Sequence, residues 1–504
     1  MIKRILILAL LIPASLMLSY RPANAVITRN PFRDIVAQSA LLAEADSGQI
    51  LFEHNMRASH PADALARIMT LLLVVSAIEN NEAHIEELIE MTDTAWEGLT
   101  SNNTTLNIRP GEEMTLKDLM YCAFVGSAAE AGNMLAERVA GSVEAFVELM
   151  NRRAIELGCE NTRFFNTHGS HNSSQITTAR DQFFILREAL GNPIFAEISG
   201  VFRYSTESTN MSDTRRITGT NSLLNSAGKY YFRYCTSGMA SVTFEGGHSF
   251  AGAAEADGLS LIVVILGSDE VINEDESVDM RNLTEARRLL EWGFSEFSWR
   301  TVISTTDLVE KAPILHGAGA DFVNLRPETE IVLLLENSVP LEEFIRAITI
   351  YSVQKNEPLV APIEAGEVLG EMSLIRNNIE YGPILLVANT SIELHRFEFI
   401  RMQVMDILNT PAARYIMWGL GLLLLAYIGL VIRYNIIRSR KVRKISEAKR
   451  KLAEERMQAS KPDEELLTYR EDQRRRDYSE TVSGRPPQRP PQRPGGKQDP
   501  RKRS

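Results

Sequence analysis

Eighteen residues in a row, Tyr415 to Ile432, carry no charge and are bounded by Arg414 and Arg433. As a helix rising ~1.5 Å per residue they reach about 27 Å, close to the ~30 Å hydrocarbon core of a bilayer. Tyr415, Trp418 and Tyr427 suit the membrane interface, and Gly419, Gly421 and Gly429 are tolerated in such a helix. A buried core helix is the other reading of this run, but no folded domain comes after it. The next stretch is basic: Arg433, Arg438, Arg440, Lys441, Arg443, Lys444, Lys449 and Arg450, a cluster that membranes retain on the cytoplasmic side. At the other end, Lys3 and Arg4 precede an apolar run from Ile5 to Leu18, and Ala23-Asn24-Ala25 matches a cleavage site. Residues 1–25 therefore read as a secretory signal peptide, with a mature start near Val26. An uncleaved N-terminal anchor is the alternative; the shortness of the run and Pro13 argue against it. Both ends predict one topology: an extracytoplasmic body, a single-pass transmembrane helix at 415–432 in the cell membrane, and a cytoplasmic tail at 433–504.

The 504 residues allow roughly three domains, or two with appendages. Apolar residues at 44% and charged residues at 24% exclude a wholly disordered or collagen-like chain. Arg433 to Ser504 holds 22 Lys/Arg against 11 Asp/Glu, a net of +11, so residues 1–432 carry −22 of the overall −11. An acidic body argues against nucleic acid as a partner. Cys122, Cys159 and Cys235 are too few for a disulfide scaffold and lack the spacing of a zinc site. In the tail, Lys444 to Met457 reads as a short charged helix. From about Gly484 the text RPPQRPPQRPGG cannot bury a core and favours polyproline II. It reads as a disordered, solvated Pro/Arg-rich tail near anionic lipid, or as a docking segment for a cytoplasmic partner.

The body mixes strand and helix signals. Ala40 to Ala45, the turn Asp46-Ser47-Gly48-Gln49, and Ile50 to Phe52 predict strand, turn, strand. Ile68 to Ile78 predicts a buried helix, and Leu116 to Ala140 and Val143 to Leu157 predict two more. Leu157-Gly158 carries a helix stop, and Leu259 to Leu266 predicts a buried strand. The expected class is α+β, an antiparallel sheet with a helical cluster. From about Thr301 the character changes to short strands at Glu330–Leu335, Ile345–Tyr351, Glu367–Ile375 and Ile384–Ala388, a small all-β domain at about 300–400. Phe397 to Leu408 links it to the membrane helix.

Six ordered blocks carry a resemblance. They are DSGQILFEHNMRASHPADALARIMT (46–70), VGSAAEAGNMLAERVAGS (125–142), MNRRAIELGCENTRFFNTHG (150–169), TTARD (177–181), TNSLL (220–224) and YCTSGMASVTFEGGHSFAGAAEADGLSLIVVILG (234–267). Together they resemble the low-molecular-mass penicillin-binding proteins, the serine D-alanyl-D-alanine carboxypeptidases of peptidase family S11. The likeness implies a penicillin-binding/serine β-lactamase-like transpeptidase fold over 26–290, and extends more weakly through the β domain and anchor. It implies acyl transfer by three motifs: a Ser-x-x-Lys pair opening a helix, a Ser-x-Asn relay, and a Lys-Thr-Gly strand that binds the terminal carboxylate of a peptide. No cofactor or metal is implied.

The chemistry of those motifs is missing. ALARIMT aligns with the family's SLTKIMT, placing Ala64 at the nucleophile and Arg67 at the base. A methyl group cannot attack a carbonyl, and a guanidinium does not give up its proton in proteins. At the second motif Ser127 remains while Ala129 replaces asparagine. At the third, Thr236-Ser237-Gly238 lacks the lysine's charge. No catalytic set is intact, so the resemblance predicts a pseudoenzyme of the cell wall. It would act as a peptidoglycan-stem binder or as a scaffold for wall enzymes.

Replacements for the lost groups are hard to find. Ser59 has no lysine three residues on. Ser226–Lys229, Ser352–Lys355 and Ser446–Lys449 fit Ser-x-x-Lys, but none opens an apolar helix. If Thr236 faces the cleft, Cys235 faces the core, because neighbours on a strand point oppositely. Cys122 and Cys159 read as buried fillers. His168 and His171 in the loop THGSHN, and His248 in a turn after Gly246-Gly247, lack companion ligands. Glu130 reads as a local structural acid. Arg67 is expected either to receive a carboxylate in an open groove beside the 236–238 edge strand, or to pair with Glu130 or another acid in a closed one. The alternative function is an active carboxypeptidase trimming pentapeptides with a nucleophile placed elsewhere.

Overall fold

In a computed structural model the chain is described at residues 32, 34–272 and 278–458. The expected signal peptide (1–25) and the Pro/Arg-rich end of the tail lie outside these residues. Residues up to Arg396 form one compact unit and those from Phe397 a second.

The first unit is built on a five-stranded antiparallel sheet. Its strands are β1 (Ser39–Glu44), β2 (Ile50–His54), β3 (Cys235–Thr243), β4 (Gly247–Ala256) and β5 (Leu259–Ser268), in the order β2-β1-β5-β4-β3. Alternation along the strands serves two cores. Leu41, Ala43, Met239, Ala251, Ala253, Ile262 and Val264 face one, filled by helices. Ala40, Leu42, Phe250, Leu261, Val263 and Ile265 face the other, against Leu283, Ala286, Leu289 and Leu290.

The helical side contains α1 (Ala66–Glu79), α2 (Leu116–Phe124), α3 (Ala129–Ala140), α4 (Val143–Glu156), α5 (Ala179–Leu190) and α6 (Pro193–Ser199); α7 (Arg281–Glu296) covers the opposite face. From Ala66 to Val75 every residue of α1 is buried, as its apolar text predicts for a helix surrounded on all sides. α7 comes close to the sheet because Gly293 has no side chain. A Cβ there would lie 2.6 Å from Leu261.

The helix expected over Leu116–Ala140 is two helices. α2 stops at Phe124, Ser127 takes a left-handed conformation (φ 58°), and α3 restarts at Ala129. Gly126 permits the turn, since a Cβ there would meet the Cys122 carbonyl at 2.7 Å. Ala128 N–H then donates to that same carbonyl, and Ala129 N–H to the Thr104 carbonyl. His248, expected in a turn, is buried within β4.

Beyond α7 the chain is almost wholly β. The strands are β6 (Phe297–Ile303), β7 (Glu310–Leu315), β8 (Phe322–Pro327), β9 (Ile331–Glu336), β10 (Ile345–Ile350), β11 (Leu359–Val360), β12 (Val368–Arg376) and β13 (Ile379–Ala388). β6 pairs with β9, and the others form a six-stranded sheet in the order β10-β12-β13-β8-β7-β11. Val323, Leu325, Met372, Leu374 and Leu386 centre its core. Leu334 of β9 joins the α7 core instead, and its carbonyl accepts from Gln49 Nε2 at 3.2 Å.

In the second unit α8 (Arg396–Asn409) covers the expected linker. α9 (Pro411–Gln458) contains Tyr415–Ile432 and continues through the charged stretch 444–457. This helix is long and apolar enough to cross a membrane.

Candidate functional site

The residues predicted to carry chemistry meet at the seam between β3 and the start of α1. Asp63 to Leu65 form a single 3-10 turn that runs into α1. Asp63 is held in a left-handed conformation (φ 43°), which an aspartate tolerates better than most residues. Its Oδ2 accepts from Thr243 Oγ1 at 2.5 Å, and its Oδ1 lies 3.0 Å from His171 Nδ1.

Ala64 is 9% exposed. Its N–H donates to Ser241 Oγ on β3 at 3.2 Å. The loop 166–171 lies directly against it: a Cβ on Gly169 would fall 2.7 Å from Ala64 Cα and 2.5 Å from the Asp63 carbonyl. Ser170 secures that loop. Its Oγ accepts from Asn103 Nδ2 and sits 3.0 Å from His168 Nδ1, while its carbonyl accepts from Asn166 Nδ2 at 2.9 Å.

Arg67 lies one turn along and is 6% exposed, in a tight pocket with Thr70, Leu71, Met120, Phe124 and Leu135. Nε donates to the Ala64 carbonyl at 3.3 Å and Nη1 to the Ala123 carbonyl at 3.5 Å. The expected pairing with an acid is not what forms; among the described residues Arg67 makes no ion pair. Burial pulls its pKa down to about 10, leaving it cationic at neutral pH. Burial first, and the Arg67 charge second, depress His168 to about 4, so this imidazole is neutral at pH 7.

Glu130 is occupied elsewhere. Its Oε1 accepts from the N–H groups of Leu106 (2.7 Å) and Ile108 (3.4 Å), and burial raises its pKa. It shapes the loop ahead of α2, as expected of a structural acid.

Ser127 is half-buried at the α2–α3 break, and Ala129 is buried as the first residue of α3. Neither side chain makes a hydrogen bond among the described residues. The third motif sits on a bulge: Cys235 faces Ala254 and Ser237 faces Ala253, so Thr236 is the extra residue. Thr236 is exposed at the surface. Ser237 shares the helix-facing side with Met239 and Ser241, is 1% exposed, and has no hydrogen-bond partner for its Oγ. Cys235 packs toward the α7 core. Simple alternation assigned the cleft-facing position to Thr236; the bulge gives it to Ser237. Gly238 (φ 152°) approaches Gly252 so closely that a Cβ would lie 2.9 Å from its Cα.

β3 is an edge strand, but part of that edge is taken. Ala240 N–H donates to Thr220 Oγ1 at 3.3 Å, and Gly200 sits against the Thr236 carbonyl, 2.7 Å from where a Cβ would be. None of the cysteines is poised for attack. Burial raises the pKa of Cys122, that of Cys159 to about 12 and that of Cys235 to about 11. Cys159, expected as a buried filler, is half-buried with its sulfur 3.7 Å from the Asp181 carbonyl. Among the described residues no three His, Cys, Asp or Glu side chains group as metal ligands.

Sequence reasoning missed Asp63, Ser241, Thr243 and Gly169 as parts of this seam. His171, dismissed for want of metal companions, pairs with Asp63. The only local signal was glycine placement, in THGSHN and FEGGHS, where backbones must pack closely.

The family description D-alanyl-D-alanine carboxypeptidase, Peptidase_S11, matches residues 24–270. D-alanyl-D-alanine carboxypeptidase DacF of Bacillus subtilis is 24% identical over 343 residues, covering 67% of this chain and 81% of that protein. DacC of Escherichia coli is 26% identical over 362 residues, covering 70% and 84%. The crystal structure of penicillin binding protein 6B from Escherichia coli superposes with a TM-score of 0.54 at 21% identity, over 73% of this chain and 99% of that one. That likeness shows the fold to be penicillin-binding/β-lactamase-like; the chain adds a small all-β domain and a C-terminal apolar helix. Through residues 24–270 this chain belongs to the D-alanyl-D-alanine carboxypeptidase family, peptidase S11.

Proposed function

We propose that this chain is a non-catalytic member of its family, a membrane-anchored scaffold at the cell wall with a closed cleft. One observation carries the proposal: the site where the family attacks its substrate holds Ala64, whose only heteroatom donor, its N–H, is spent on Ser241 Oγ. Acyl transfer needs an attacking oxygen, a neutral base and free donors for the oxyanion. Ala64 supplies no oxygen. Arg67 remains charged at neutral pH and points its donors at two carbonyls. The loop at Gly169 packs against the backbone of Asp63 and Ala64. Arg67 is buried with its donors on two carbonyls, which favours scaffolding over stem-peptide capture.

The body, with its carboxypeptidase-like segment (26–290) and β segment (300–400), lies outside the membrane in this proposal. Tyr415–Ile432 spans the membrane once, and the basic tail is cytoplasmic. The supporting observations are the N-terminal signal pattern, the one helix among the described residues long and apolar enough to cross a membrane, and the arginine-rich residues after it. Wall enzymes outside, or a partner of the tail inside, would be what it assembles. The test is D-alanine release from a pentapeptide by the purified full chain. No release above a buffer control is expected. Release abolished by substituting Ser127 or Ser237 would establish an active enzyme instead.

A further inference from the structure

Charge is unevenly placed along α9 past its apolar run. Residues 433–444 hold six cations (Arg433, Arg438, Arg440, Lys441, Arg443 and Lys444) and no acid, whereas residues 445–458 hold four cations and three acids. The helix runs through both stretches without a break. All six cations of the first stretch are exposed, and among the described residues none of them forms an ion pair. The second stretch partly neutralises itself, with Arg450 Nε 3.6 Å from Glu454 Oε1.

Because the helix is continuous, each cation has a set height above the apolar run. Counted from Ile432 at ~1.5 Å per residue, Arg433 lies at about 1.5 Å, Lys444 at about 18 Å, and the cations from Lys449 to Arg456 at about 25–36 Å. Long side chains on a helix lean toward its N-terminus, here back toward the apolar run. A bilayer's headgroup layer is about 5–7 Å deep on each side. Its charge is felt for a further ~8 Å in physiological salt. With their side chains leaning back, the six cations of 433–444 fall within that reach, and those of 449–456 do not.

We infer that residues 433–444 form a collar that binds anionic phospholipid headgroups where α9 leaves the membrane. The inference rests on the membrane span proposed above. The arrangement of the cations around the helix selects this partner. At about 100° per residue they stand all round the axis, and no arc wider than about 140° lacks one. A protein partner docks on one face of a helix, whereas a headgroup layer surrounds it. A second copy lying parallel would set six cations against six. The bilayer supplies the complementary charge at the right height: guanidinium groups bond phosphate oxygens in pairs, and lysines add point charges. Bound headgroups hold the helix at one depth and gather anionic lipid around this chain.

The test uses the purified full chain in vesicles of equal parts phosphatidylglycerol and phosphatidylcholine. Electron spin resonance of a spin-labelled form of each lipid reads how much of it the protein restricts. The parent chain is expected to favour phosphatidylglycerol about threefold or more at low salt. That preference should fall toward unity in 1 M salt, where the screening length is ~3 Å. Joint substitution Arg438→Gln, Arg440→Gln, Lys441→Gln, Arg443→Gln and Lys444→Gln should abolish it. Joint substitution Lys449→Gln, Arg450→Gln, Lys451→Gln and Arg456→Gln should leave it unchanged. Restriction of both lipids without preference, or a preference lost only with the second set, would overturn the collar and leave the membrane span standing. A chain that restricts neither lipid would overturn the span and the collar together.

Discussion

The two faces of the central sheet solve different problems. Toward α7, Leu42, Phe250, Leu261, Val263 and Ile265 meet Leu283, Ala286, Leu289 and Leu290 in an apolar interface. Its polar member, Glu285, accepts from the backbone of Val36 and Ala37 and from Ser268. Toward α1, the seam around Ala64 contains Arg67, Asp63, His168, His171 and Ser237. There a cation is buried on two carbonyls and a serine hydroxyl has no partner. Burial of apolar area drives folding, whereas unpaired buried polar groups cost stability. Apolar packing on both sides of the sheet carries the fold, and the seam is a polar exception within the helical side.

Substitutions can break or sharpen this contrast. The largest effect is expected from Phe250→Ala, which empties a fully buried ring position and should lower stability by about 3–5 kcal/mol in denaturant titration. A loss under about 1 kcal/mol would mean that the α7 face contributes little to holding the fold.

Acid should act mainly on the seam. His168 has its pKa lowered to about 4 in the fold, from an ordinary value near 6.5. The unfolded chain then binds more protons between those values. This contribution to stability is intact above pH 6.5 and falls as pH drops toward 4, by on the order of 1–3 kcal/mol. His168→Gln should flatten the thermal stability profile over that window. An unchanged slope would place the sensitivity elsewhere.

Arg67→Met is expected to be neutral or stabilising by about 1 kcal/mol, because it replaces a buried charge lacking an ionic partner with an apolar chain in an apolar pocket. Calorimetry reads this directly, and a loss comparable to Phe250→Ala would erase the distinction between the faces. The smallest effect is expected from Ala64→Ser. It should change stability by less than about 1 kcal/mol and confer no D-alanine release, since Arg67 offers no proton acceptor.

Part of the sheet and the helix α1 were legible in the sequence, because apolar periodicity reports burial, whereas α7 was not predicted. The strands expected at 40–45, 50–52 and 259–266 and the buried helix expected at 68–78 are found at 39–44, 50–54, 259–268 and 66–79. The β strands at 297–303, 310–315 and 322–327 did not, since Pro313, Pro327 and interspersed charges hide their alternation. In the seam, Ala64 and Arg67 were found through a motif alignment. The α2–α3 break was missed because Gly126-Ser127 sits in an otherwise helical text. The Asp63–Thr243 and Asp63–His171 contacts join residues more than a hundred positions apart, which no local pattern records. The bulge at Thr236 likewise depends on how β3 meets β4, not on its own residues.

Covalent trapping by a β-lactam asks the most of the fewest groups: one oxygen at the start of α1 and one amine able to take its proton. When the purified full chain is incubated with a fluorescent penicillin and denatured, no label is expected to remain on a protein with Ala64 and Arg67 at those two places. A denaturation-resistant adduct on any residue of the seam would contradict a non-catalytic site.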